Sequence, residues 1–410
     1  MATLGDIEIY GQKREESVAI LVGPNGSGKS SFLRALAESY RHEDVIAVSN
    51  TPHDRFARMR GVRRISAGRP DHTPPNIVKR ALASSLDADD SAFHQISAIM
   101  DYCGYAPRFG FRIEKAEHYG SSFEDLRWKL DGSSSGTTDE QMLRDREPEY
   151  DEQLRRALDF LRRHDVGEFV WIDATRSVFE FSLARDFVPV LRREAILRRF
   201  KVIGPIEVML QRNDPYRTVI EMRLASSGQL TLISSLLFLI TEAGNGAIIL
   251  VDEPENSLHP SWQRTYVDKL MAAMAYREAT LIIATHAPLV VTGALSDARG
   301  KISVFSVRDG QPARLNIESS ATPNSIEEIL WEAFGVVTPA NHFVSEEIVR
   351  AISRFEEDEI DKKEVLELIN AFEKPSFEDQ QRRFFEAVRK LVDKVERKKA
   401  GIDGGEDGFA

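Results

Sequence analysis

Residues 18–40 read VAILVGPNGSGKSSFLRALAESY, and this stretch decides the fold. Five consecutive apolar residues (VAILV, 18–22) make a strand covered on both faces. GPNGSGKS at 23–30 fits the pattern G-x-x-x-x-G-K-[ST]. Phe32, Leu33, Leu36 and Tyr40 then recur at helical spacing. In a strand–loop–helix setting the glycines let backbone N–H groups converge on an anion. The helix N-terminus adds its positive end. Gly23, Pro24, Asn25, Gly26, Ser27, Gly28, Lys29 and Ser30 are therefore expected to hold the phosphates of ATP or GTP. Lys29 would reach the β- and γ-phosphates and Ser30 would bind Mg²⁺.

Working outward, AIILVDEPENSLHP (247–260) runs a second fully apolar strand into an acidic pair. Asp252 emerges at the C-terminal end of that strand, where sheets of this kind place their ligands. Asp252 would hold the metal through water, and Glu253 would accept a proton from the attacking water. A plain acidic helix start explains Asp-Glu-Pro but not its coincidence with the phosphate loop. LIIATHAPLV (281–290) ends a third apolar strand in Thr285-His286. If that strand neighbours the Asp-Glu strand, His286 lies at the γ-phosphate end; otherwise it is an ordinary structural histidine. ASSGQL (225–230) separates the strand-like TVIEMRL from the apolar run 231–240. It reads either as a loop or as the start of a helix aimed at a phosphate.

The remaining pattern fills in an α/β fold: a mostly parallel central sheet flanked by helices, an antiparallel β part, a helical insertion and a mainly helical C-terminal region. IEIY (7–10) and VIAV (45–48) read as strands flanking the loop–helix unit. Residues 49–80 read as loop with short helix. Residues 88–165 read as helices broken by a flexible DGSSSGTTDE (131–140). FVWIDA (169–174) is a strand, and 202–224 is a hairpin through QRNDPYR. Trp262, Tyr266, Leu270 and Met274 lie on one face of a helix; ISVFSV and ARLNI are strands. Charged amphipathic helices follow. The expected divisions are an ATPase core of 1–48 with 202–300, an inserted lobe of 49–201, a C-terminal subdomain of 301–400 suited to partner docking, and a flexible tail of 401–410.

Composition bounds the function. The chain has 410 residues, 42% hydrophobic and 29% charged, with a net charge of −11. The bulk charge opposes non-specific nucleic-acid binding. Two basic runs stand out nonetheless: eight Lys/Arg against two Asp in 52–80, and six against two acidic residues in 185–201. Each is either a patch for phosphates or an acidic partner, or a solvated face. One cysteine, Cys103, excludes an intrachain disulfide framework and an all-cysteine zinc site. LISSLLFLI is too short to span a bilayer, and MATLGDIEIYG lacks the form of a secretory signal, so a cytoplasmic location is expected.

Phosphate loop, SSGQ turn, apolar-Asp-Glu and strand-Thr-His, in that order, resemble an ABC-class ATPase head of the RecF/Rad50/SMC-like branch. DEPENSLHP is similar to the form found in prokaryotic ATPases classed as AAA15 or AAA21, many of them in anti-phage systems such as Septu and retrons. SNTPHDRF (49–56) and SIEEILWEAFGV (325–336) resemble segments of the same ATPases. The resemblance implies that Gly23 to Ser30 form the Walker A loop, with Ser31 on the α-phosphate. It makes Asp252 and Glu253 the Walker B pair, Ser257-Leu258-His259 the D-loop and His286 the switch histidine. Ala225, Ser226, Ser227, Gly228 and Gln229 align with the signature turn, with Ala and Ser in place of its Leu and first Gly. The coupling glutamine has no counterpart; Asn50 is the candidate. A signature turn caps ATP held by a second head. The family thus implies ATP and Mg²⁺ as cofactors, a homodimer or higher oligomer, slow regulatory hydrolysis, and a separate nuclease or toxin as effector. DNA repair of the RecF/Rad50 type is the alternative, with nucleic acid as partner.

Overall fold

Alternate side chains of one buried strand build both layers of the fold. In β1 (Ser17–Val22), Val18, Ile20 and Val22 face one hydrophobic cluster while Ala19 and Leu21 face another. The computed structural model describes residues 2–9, 17–51, 54–57, 59–66, 73–85, 91–132, 149–164, 167–174, 181–275, 277–296, 301–315, 342–373 and 379–399. The expected insertion from 133 onward, the 325–336 segment and the 401–410 tail lie outside the described residues.

After β1 come α1 (Lys29–Ser39), β2 (Val45–Ser49), β3 (Val62–Ser66), α2 (Pro74–Ser85) and α3 (Ser91–Tyr102). The middle of the chain holds β4 (Tyr105–Arg112), α4 (Phe123–Gly132), α5 (Tyr150–Arg163), β5 (Val170–Asp173), α6 (Phe181–Arg192) and α7 (Glu194–Arg199). Next are β6 (Glu207–Arg212), β7 (Val219–Glu221), α8 (Ser227–Glu242), β8 (Ile248–Asp252), α9 (Pro260–Ala273), β9 (Thr280–Thr285) and α10 (Pro288–Ser296). The hairpin β10 (Lys301–Arg308) and β11 (Gln311–Arg314) precedes α11 (His342–Glu356), α12 (Lys362–Phe372) and α13 (Asp379–Lys399).

Among the described residues the strands form two sheets. The seven-stranded sheet runs β11-β10-β1-β9-β8-β2-β3, all parallel except the β10–β11 hairpin; the four-stranded sheet, β5-β4-β6-β7, is antiparallel. Helix α1 packs Phe32, Leu33 and Leu36 onto the face of Ala19, Leu21, Ala47, Leu250 and Ala284. Helices α8, α9 and α10 cover the opposite face, where Leu232, Leu236, Tyr266, Leu270 and Val290 meet Ile20, Val48, Val251 and Ile283. Tyr266, Leu270 and Met274 are buried and Trp262 is half-buried, as their spacing predicts. Helices α11 to α13 close a separate cluster around Ile352, Ile369, Phe385 and Val392.

Three sequence expectations change. IEIY does not begin as a strand: Leu4–Ile7 form a 3₁₀ turn, closed by reciprocal bonds between Thr3 and Asp6 and ended by Glu8 at φ 56°. This local capping removes Ile7 from any ladder. VRRIS (62–66) is a parallel edge strand inside the segment expected to be loop and helix; its two arginines mask the apolar pattern. Tyr105–Arg112 is a strand where helix is expected, because Phe109 and Phe111 are buried against Leu210 and Val208 of β6. The sheets also cross the expected boundaries. β3 joins the main sheet from within 49–201, β10 and β11 join it from beyond 300, and β6 and β7 pair into the sheet that holds β4 and β5.

Candidate functional site

Sheet order places the expected chemistry at one edge. β1 lies beside β9, and β9 beside β8, so Val22, Thr285 and Asp252 end their strands at nearly one level. The loops that follow carry the phosphate loop, His286 and Glu253. This is the carboxyl edge at which such sheets bind ligands.

Gly23, Gly26 and Gly28 have φ of 148°, 83° and 98°, values that L side chains rarely adopt. A Cβ on Gly28 would lie 2.6 Å from the backbone nitrogen of Gly310, and one on Gly23 would lie 2.8 Å from the carbonyl of Val307. The phosphate loop is thus pressed against the β10–β11 hairpin. Its turn, Asp309-Gly310, has φ of 50° and 75°, and the Gly310 N–H donates to the Ser27 carbonyl at 2.9 Å. This support for the loop was not foreseen from sequence, although Asp-Gly between two strands is a hairpin signal.

Lys29 is buried and donates from Nζ to the carbonyls of Gly23 (2.7 Å) and Pro24 (3.1 Å). Burial lowers its pKa, against the opposing pull of Glu253, Glu255 and Asp252. Ser30 Oγ donates to Asp252 Oδ1 at 2.9 Å. Asp252 is buried, and burial lifts its carboxyl to about 6, the Glu253 charge adding to the rise while Ser30, Lys29 and Arg55 oppose it. A hydroxyl against a desolvated carboxylate fits Mg²⁺, which takes few protein ligands and completes its shell with water and substrate phosphate. Ser31 is exposed, and its Oγ accepts from Arg55 at 3.0 Å.

Glu253 sits at φ 50°, a left-handed conformation that costs on the order of 1 kcal/mol or more for a non-glycine residue. Its N–H donates to the Ala284 carbonyl at 2.9 Å, and its Oε2 accepts from Asn256 Nδ2 at 3.0 Å. Asn256 also donates to the Asn50 carbonyl at 3.4 Å, while the Asn50 N–H donates to the Asp252 carbonyl at 3.2 Å. Asn50 therefore touches the acidic pair through its backbone. Asn256 is a further site residue, three positions after Glu253 in a tight turn.

Glu255, only 6% exposed, is a second residue the sequence reading passed over. Its Oε1 accepts the His286 N–H at 2.7 Å and lies 2.9 Å from His286 Nδ1. The His259 ring caps α9, accepting from the Ser261 N–H at 3.3 Å, with Pro260 in the first turn.

The turn at 225 opens α8. Ser226 Oγ accepts from the Gln229 N–H at 3.3 Å, and Gln229 Oε1 accepts from the Ser226 N–H at 3.2 Å. These reciprocal bonds form a capping box. Gln229 is further anchored to β4, accepting from Tyr105 Oη at 2.8 Å and donating to the Cys103 carbonyl at 2.9 Å. Ser226 and Ser227 are exposed beside Leu224, which is 70% exposed. Gly228 is buried: a Cβ there would stand 2.5 Å from the Ser257 carbonyl. Packing within the chain alone requires glycine at that position. Helix α8 covers the face of the sheet opposite α1.

Among the described residues, the basic runs are largely engaged inside the chain. Arg63 pairs with Asp44 and Glu242, Arg64 with Asp54, Lys79 with Glu194 and Arg80 with Glu242. Arg192 donates to the Ala83 carbonyl and buried Arg193 to Gln153 Oε1. Among the described residues, no helix is long and apolar enough to cross a membrane.

Residues 105–292 match the family described as "AAA domain, putative AbiEii toxin, Type IV TA system". That span holds the turn at 226–229, Asp252, Glu253 and His286. With its mostly parallel sheet, the chain thus resembles ATPases of the ABC/AAA type, those of prokaryotic defence systems among them. A named relative is the "Retron Vc95 probable ATPase" of Vibrio cholerae serotype O1 biovar El Tor, 31% identical over 109 residues. The matched part is 27% of this chain and 20% of that protein, so the chain spans about a fifth of its curated relative. A solved neighbour is the Smc head domain of Pyrococcus furiosus, bound to the C-terminal domain of ScpA. It is 15% identical, with 60% of this chain and 62% of that one covered; the TM-score of 0.23 carries no argument by itself.

Proposed function

We propose that this chain binds and hydrolyses ATP as an ABC-class head, and that two such heads form a nucleotide-gated switch. The observation that carries the reading is the convergence of Lys29, Ser30, Asp252, Glu253 and His286 on one sheet edge, with the serines of the signature turn exposed. The phosphate-loop N–H groups and Lys29 would bind the triphosphate, and Ser30 and Asp252 would hold Mg²⁺, which supplies charge neutralisation of the phosphates. Glu253 would take the proton of the attacking water as its oxygen bonds to the γ-phosphorus and the bond to the β–γ bridging oxygen breaks, leaving ADP and phosphate.

The turn Ser226–Gln229, opening a 16-residue helix, would present its N-terminus to the γ-phosphate held by a second copy. Those contacts exist only while the γ-phosphate remains, so hydrolysis loosens the dimer. Such a switch needs an output. The defence-type resemblance and the helical unit α11 to α13 support a separate effector, a nuclease or toxin, held or positioned by the dimer. Glu253→Gln tests the reading: with ATP and Mg²⁺ the variant should accumulate as a dimer by light scattering. An unchanged monomer–dimer distribution counts against it.

A further inference from the structure

Glu255 is a buried carboxylate that the scheme above leaves unused. Its side chain is 4% exposed, and it lies two residues beyond the acidic pair, in the turn that leads to α9. One of its oxygens, Oε1, gathers the His286 N–H at 2.7 Å and stands 2.9 Å from His286 Nδ1. The alignment to Nδ1 falls short of a hydrogen bond. Among the described residues neither Nδ1 nor Glu255 Oε2 has a hydrogen-bond partner. A buried carboxylate oxygen without a donor is costly, and so is a buried ring nitrogen. The two lie on adjoining groups, and such contacts often tighten only when substrate binds.

We infer that Glu255 is the positioning residue of His286. A carboxylate only accepts, so Nδ1 can stand against it favourably only when it carries a proton. That fixes the Nδ1–H tautomer and leaves Nε2 as the nitrogen available to the reacting phosphate. The backbone bond to the same carboxylate fixes where the ring begins. A partner of this kind orients a histidine and sets its tautomer without touching substrate. The inference rests on the proposed ATPase function, in which His286 meets the γ-phosphate.

The test uses the full chain, with Glu255→Gln, His286→Ala and the double variant. The amide keeps the shape and an acceptor for the His286 N–H, but removes the charge that selects the tautomer. With ¹⁵N-labelled histidine and no nucleotide, the His286 ring should show the Nδ1–H pattern in the wild type and a shift toward Nε2–H in Glu255→Gln. Under saturating Mg-ATP, Glu255→Gln should lower kcat about 10- to 100-fold with KM for ATP nearly unchanged. The double variant should be no slower than His286→Ala, because both remove one function. An unshifted ring pattern, or losses that multiply in the double variant, would overturn the inference. A wild type that hydrolyses no ATP would instead overturn the functional reading. The ring spectra would still decide whether Glu255 sets the tautomer.

Discussion

At the scale of single residues, Asp252 carries the sharpest electrostatic consequence. Burial raises its carboxyl from an ordinary 3.8 to about 6. A raised acid stabilises the folded chain below the unfolded pKa, and that contribution is lost as pH rises through about 6. The nucleotide-free protein should therefore lose stability between pH 4 and pH 7 through this group. Asp252→Asn should match the wild type near pH 4.5 and exceed it at pH 7.5 by on the order of 2 kcal/mol in denaturant unfolding. The same variant should lose the thermal shift given by Mg-ATP, since the Ser30–Asp252 pair is then broken as a metal site. Equal stabilities at both pH values would show that the carboxylate is better solvated than its burial indicates. Ser226→Arg makes a second test at this scale. ATP binding to the single chain should persist and hydrolysis should vanish, as measured by nucleotide fluorescence and phosphate release.

At the scale of elements, the phosphate loop and the signature helix are each tied to a partner element. Gly26 has no atom within 4 Å of an added Cβ, whereas Gly28 has the Gly310 backbone at 2.6 Å. Gly26→Ala should cost only the left-handed strain, about 1 kcal/mol. Gly28→Ala must also displace the β10–β11 turn, so its melting temperature should fall well below that of Gly26→Ala. Tyr105→Phe removes the hydroxyl that holds Gln229 and should cost about 1 kcal/mol. It should also slow hydrolysis while leaving ATP affinity intact.

The motifs of this site were legible in sequence because each pairs a buried strand with chemistry at its end: Lys29 and Ser30 after VAILV, Asp252 after AIILV, His286 after LIIAT. The strands β3 and β4 were not legible, since Arg63, Arg64 and Gly110 interrupt the apolar alternation. Their pairing with β2 and β6 is a tertiary fact. Glu255 and Asn256 were hidden for a similar reason: a turn after Asp-Glu-Pro shows its residue types but not which of them folds back toward His286 or Glu253.

At the scale of the whole molecule, the central claim is that a functional site belongs to two chains. The alternative, a DNA-stimulated ATPase, relied on basic runs whose Arg63, Arg64, Lys79, Arg80 and Arg193 are engaged with groups of the same chain. Duplex DNA should accordingly leave the hydrolysis rate unchanged; stimulation that disappears on neutralising Arg198 and Arg199 would favour the alternative. The most direct measurement is complementation by mixing. Lys29→Met disables the phosphate loop of one chain and Ser226→Arg the signature turn of the other, so each variant alone should be inactive. Mixed together, they assemble one intact composite site per heterodimer, and ATP turnover should reappear. A mixture as inactive as its two parents would contradict a site completed in trans.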